Sequence, residues 1–110
     1  QYFDTDKERY VGPRPGPGES AARWLAEKEI FLTGDDQLTY EVFPKEGTSF
    51  PVHRILIAEK GIYLVENLNL EKLSNVLSER GTYEFILVIN PPRIRGATGM
   101  PINSFALIPK

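Results

Sequence analysis

The chain has 110 residues with 41% hydrophobic and 25% charged, the balance of one ordinary globular domain with a single core. A net charge of −2 offers no basic field for nucleic acid or an anionic membrane surface, and no apolar run reaches the ~18 residues that span a bilayer. Zero cysteines exclude disulfides, thiolate metal ligands and thiol nucleophiles, and are compatible with a cytoplasmic location.

Residues 1–18 are polar and then dense in proline and glycine, as in V-G-P-R-P-G-P-G. Pro13, Pro15 and Pro17 forbid a helix interior, so this stretch is expected to be a loop or ordered arm ahead of a domain spanning 19–110. E-S-A-A-R-W-L-A-E-K-E predicts a helix of about three turns capped by Ser20, with Ala21, Trp24, Leu25 and Lys28 on one face, Ala22 and Ala26 widening it, and Trp24 in the core. I-F-L-T-G is a short strand closed by Gly34. The following stretch to Pro51 is a loop whose acids, Asp35, Asp36, Glu41 and Glu46, lack the spacing of an EF-hand and are expected to be solvated.

Pro51 suits the first turn of a second helix, which Gly61 ends. His53, the single histidine, shares a helical stripe with Leu56 and Ile57 and so borders the apolar side. In the next strand, I-Y-L-V-E, period two puts Glu66 on the same face as Ile62 and Leu64. A carboxylate there needs a partner, because burying it bare costs several kcal/mol, about the penalty of any unpaired buried ion. N-L-E-K-L-S-N-V-L predicts a third helix capped by Asn69, with Leu70, Leu73, Val76 and Leu77 inward. Y-E-F-I-L-V-I-N, 83 to 90, predicts a strand buried on both faces, and I-N-S-F-A-L-I, 102 to 108, a last one. The order predicts α/β architecture with a mixed β-sheet.

Most catalytic plans fail on this inventory. Serines 20, 49, 74, 78 and 104 lie in no G-x-S-x-G elbow, and there is no phosphate-binding glycine loop. His53 and Glu66, thirteen residues apart on a helix and the strand it leads into, can converge through the turn at Gly61. They make a partial metal site, since a catalytic zinc takes about three protein ligands.

H-R-I-L-I-A-E-K-G-I-Y-L-V-E-N-L-N-L, from His53, resembles the second half of the cyclase family of metal-dependent hydrolases, which includes kynurenine formamidase and isatin hydrolase. Three further stretches agree in order. A-A-R-W-L-A-E-K-E-I resembles the family's helix before its central strand, T-G-D-D-Q-L-T-Y-E its G-x-D loop, and I-R-G-A-T-G-M-P-I-N its closing turn and final strand. The resemblance implies an α/β half-barrel wrapped by helices, of swivelling β/β/α type. It also implies hydrolysis of amide bonds in N-formyl or cyclic small molecules, using zinc or manganese. His53 and Glu66 match the family's late metal-ligating histidine and glutamate, and Glu66 is a further candidate for proton acceptor.

The family's H-x-G-T-H-x-D motif is absent from these residues, and Asn103 stands where the family has arginine. The chain is therefore expected to be a C-terminal portion, complete only with an N-terminal half or second polypeptide carrying the remaining ligands, and to form homo-oligomers. The alternative is a binding or structural module that keeps the scaffold without catalysis.

Overall fold

The computed structural model describes residues 4–43 and 50–109. Glu46 and Ser49 of the sequence reading lie outside them. The chain divides into two compact units, Gln1–Leu70 and Glu71–Lys110. Helices combine with small sheets, consistent with the α/β class.

The first unit opens with a short helix, α1 (Lys7–Val11), inside the stretch expected to be a loop. Asp6 caps it by accepting from the Arg9 amide at 3.0 Å, and the helix ends before the first proline. The arm is then tied down by an isolated antiparallel bridge between Arg14 and Phe43, with backbone bonds in both directions. The Arg14 side chain is buried, donates to the Val11 carbonyl and lies over the Phe43 ring.

The second helix, α2 (Glu19–Glu27), has Gly18 rather than Ser20 at its N-cap. It turns Ala22, Leu25 and Ala26 into the core, whereas Trp24 is 57% exposed with the Lys28 ammonium over its ring. The small Ala22 side chain lets this helix approach its neighbour closely, and a tryptophan on that face would hold the two apart.

β1 (Leu32–Gly34) pairs in parallel with β2 (Tyr63–Val65), Leu32 opposite Tyr63 and Gly34 opposite Val65. Between them runs a helix that starts as α3 (Pro51–His53) and continues as a π-helix over Arg54–Glu59. The wider π winding changes which side chains share a face. Val52, Ile55 and Leu56 are fully buried, while Ile57 is about half exposed. Gly61, at φ +68°, makes the left-handed turn into β2. The core of this unit gathers Ala22, Tyr40, Val52, Ile55, Leu56 and Ile62 where α2, the π-helix and β2 meet.

The second unit holds α4 (Glu71–Arg80) and the antiparallel pair β3 (Ile86–Ile89) and β4 (Ser104–Leu107). Leu77 is its buried helix residue, as its spacing predicts. β3 is shorter than expected and is not buried on both faces, since Ile86 is 63% exposed and Leu87 40%. Among the described residues, the strands form two two-stranded sheets rather than one. A two-stranded sheet has too few neighbours to cover both faces of an apolar strand.

Candidate functional site

The site lies wholly in the first unit and is built around His53. The loop after β1 is anchored to the end of β2. Leu68 donates to the Asp35 carbonyl at 3.0 Å and Asn67 to the Gln37 carbonyl at 2.9 Å. Asp35 Oδ1 accepts from the Gln37 amide at 3.2 Å, a local turn that reverses the chain. Tyr40 points into the core, where its hydroxyl meets that of Thr33 at 2.6 Å, and its amide donates to Glu66 Oε1 at 2.6 Å. These ties carry Glu41, the next residue, to the start of α3.

Glu41 is the residue that sequence reasoning missed. Expected to be a solvated loop acid, it is 3% exposed. Its Oε2 accepts from the Val52 amide at 3.2 Å, and its Oε1 accepts from the His53 amide at 3.1 Å. Phe50, at the N-cap, has left-handed φ and provides no side-chain bond, so the buried carboxylate of Glu41 does the capping from a distant loop. The same Oε1 lies 2.6 Å from His53 Nδ1. No sequence periodicity reports such a contact, although the unpaired helix start at Phe50-Pro51 was a signal that a cap must come from elsewhere.

The other ring nitrogen, Nε2 of His53, lies 3.2 Å from Glu66 Oε1. The structure thus brings the two sequence-predicted residues together. The edge of the ring contacts Phe50, with centroids 5.4 Å apart. Both His53 and Glu66 keep roughly a quarter of their side chains exposed, so the gap between them is reachable from solvent.

Two electron-pair donors that share a tetrahedral ion at about 2.1 Å each sit about 3.4 Å apart. The Nε2–Oε1 separation suits that spacing. Glu41 lies on the opposite edge of the ring, so the three side chains do not converge on one point. Consistent with this, no group of three or more His, Cys, Asp or Glu side chains among the described residues is arranged to hold a metal ion. The donor set fits one side of a metal site.

Asp35 adds local negative charge. Burial pushes its carboxyl up to about 6; the Gln37 amide pulls it down, and the charges of Glu66 and Asp36 raise it again. Arg14 offsets part of that field. Asp36 is exposed, as expected for a loop acid.

The chain is similar to hydrolase and cyclase-like proteins over nearly all of its length. It is 32% identical over 103 residues to an isatin hydrolase of Roseibium aggregatum, an alignment covering 91% of this chain and 36% of that protein. It is 36% identical over 102 residues to cyclase-like protein 3 of Oryza sativa subsp. japonica, covering 92% of this chain and 32% of that protein. The chain spans about a third of the length of these curated relatives. No family model matches it, and no solved structure matches it. Among the described residues, no helix is long and apolar enough to cross a membrane.

Proposed function

We propose that this chain is the C-terminal portion of a cyclase-family metal-dependent hydrolase that cleaves amide bonds in N-formyl or cyclic amide substrates. Its fold is read as part of the family's half-barrel. The observation that carries the reading is the meeting of His53 Nε2 and Glu66 Oε1 at 3.2 Å, in a chain similar to an isatin hydrolase. These two residues are proposed as ligands of one divalent ion, zinc or manganese, with further ligands supplied by residues outside this chain. Imidazole and carboxylate suit both metals. Cytoplasmic location and homo-oligomerisation complete the proposal.

Such an ion supplies Lewis-acid chemistry, activating water and polarising a carbonyl. The protein's own groups do the rest. Glu66 is held by the Tyr40 amide, so its carboxylate is oriented before substrate arrives. It takes a proton from the attacking water as the new C–O bond forms. The C–N bond then breaks, and the proton passes to the leaving nitrogen. The products are a carboxylate, or formate, and an amine, with water consumed.

The test uses the complete protein, either as a longer polypeptide or with the partner that supplies the remaining ligands. Denaturing intact-mass spectrometry of the purified sample identifies which of these exists. Metal content is then measured, and hydrolysis of isatin and of N-formylkynurenine is assayed with and without chelator. The expected outcome is a bound divalent ion, chelator-sensitive hydrolysis of one substrate class, and loss of both metal and activity in His53→Ala. A complete protein that holds no divalent ion supports the non-catalytic scaffold instead.

A further inference from the structure

We infer that Glu41 is a positioning residue for His53: its carboxylate holds the ring through Nδ1, so that in the neutral imidazole the proton sits on Nδ1 and Nε2 is the electron-pair donor facing Glu66. The inference deepens the metal-ligand reading above by adding a carboxylate behind the ring.

A carboxylate has acceptor positions only. Of the two that face the ring, Glu41 Oε1 is the closer and the more buried, 2.6 Å from Nδ1 against 3.2 Å between Glu66 Oε1 and Nε2, so the one ring proton of a neutral imidazole goes to Nδ1. Helix capping alone does not require this contact. The two backbone bonds from Val52 and His53 already satisfy that role, at 3.2 and 3.1 Å. The ring bond is the shortest of the three. Because the two backbone bonds fix the carboxylate, the imidazole cannot rotate without losing its 2.6 Å bond to it. Phe50 against the ring narrows the choice further.

The consequence lies on the other side of the ring. With the proton on Nδ1, a neutral imidazole directs its Nε2 lone pair toward Glu66 Oε1 at 3.2 Å. Two lone pairs at that distance repel, and either a proton on Nε2 or a metal cation between them relieves the repulsion. Glu41 leaves Nε2 as the ring nitrogen that faces the place of the proposed ion. A carboxylate behind a ligating histidine also raises the basicity of the ligating nitrogen. Free histidine favours the opposite tautomer, with the proton on Nε2, so the prediction runs against the default of the side chain.

His53 is the single histidine, so one set of ring signals reports it. The test is long-range ¹H–¹⁵N correlation on the ¹⁵N-labelled, metal-free chain at a pH where the imidazole is neutral. The expected result is a protonated Nδ1 and an unprotonated Nε2. A ring protonated on Nε2 overturns the inference. Glu41→Leu is expected to release the ring to the Nε2–H tautomer. Where that variant fails to fold, Glu41→Gln serves, because its neutral amide no longer obliges Nδ1 to donate, and a mixture of tautomers is expected. An Nδ1–H population unchanged in the folded variant overturns the inference.

In the complete protein, either variant is expected to bind zinc on the order of 10- to 100-fold more weakly, as for other second carboxylates behind metal ligands. The tautomer is read without metal. A chain that shows the expected tautomer while the complete protein holds no ion refutes the hydrolase reading and leaves the role of Glu41 in place.

Discussion

Glu41 and His53 lie twelve residues apart in sequence, yet one oxygen of Glu41 is 2.6 Å from the imidazole Nδ1 and 3.1 Å from the backbone amide of the same histidine. A single buried carboxylate thus fixes both where a helix begins and how its first functional side chain is turned. Local structure and site geometry share one support.

Removing that support carries a stability cost separate from any chemistry. Glu41→Ala leaves the amides of Val52 and His53 without their acceptor and opens a small void beside the core. A loss of about 1–3 kcal/mol is expected, the range for a lost cap and buried donors left unpaired. Glu59→Ala provides the contrast. Glu59 meets Arg54 at 3.7 Å, with both side chains largely solvated, and the loss there is expected to stay below about 0.5 kcal/mol. Urea denaturation of both variants checks the order, and equal losses refute it.

The carboxyl of Asp35 predicts a pH dependence. Its folded value is raised to about 6 from an ordinary 3.8, first by burial. Between these values the folded state holds more protons than the unfolded state. The contribution of this group therefore becomes less favourable as pH rises from about 4 to about 6, and the full penalty is present above that window. Asp35→Asn keeps an oxygen for the Gln37 amide but removes the charge. Its stability relative to the native chain is expected to be greater at pH 7.5 than at pH 4. A difference that is the same at both pH values contradicts the assignment.

The π-helical winding makes a prediction about faces. Leu56 is fully buried and Ile57 about half exposed, although an ideal α-helix would place both beside the apolar side. Leu56→Ala is expected to cost about 2–5 kcal/mol through the cavity it leaves. Ile57→Ala is expected to cost well under half as much. Denaturation midpoints that fall equally for both variants would mean the helix keeps α winding in solution.

Gly16 controls where the Glu41 loop lies. A Cβ at this position meets backbone atoms of Glu41 and Val42 at 2.5 Å and the Tyr40 carbonyl oxygen at 2.7 Å. Backbone cannot yield as a flexible side chain does, so Gly16→Ala is expected to push residues 40–42 away from α3. The expected readouts are lower thermal stability and a changed His53 ring environment by NMR. An unperturbed histidine signal sinks the link between arm and site.

The sequence alone determined those features that depend on local chemistry. Periodicity placed the helices around Ala22, Leu56 and Leu77, and Gly61 marked the turn after the second of them, because spacing and backbone freedom act within a few residues. It also singled out His53 and Glu66, since one histidine and one carboxylate on an apolar strand face stand out in this composition. Tertiary structure decided the remainder. Trp24 faces outward because the close approach of α2 to its neighbour is set by Ala22, and a pattern of apolar residues cannot rank two candidate faces by the room available. β3 is open to solvent because its pairing partner is a single strand. Glu41 looked like any loop acid, and only the folding of the loop onto β2 and α3 makes it a helix cap and a partner for the imidazole. A long-range hydrogen bond leaves no periodic trace in sequence, since its two ends are brought together by the packing of everything between them.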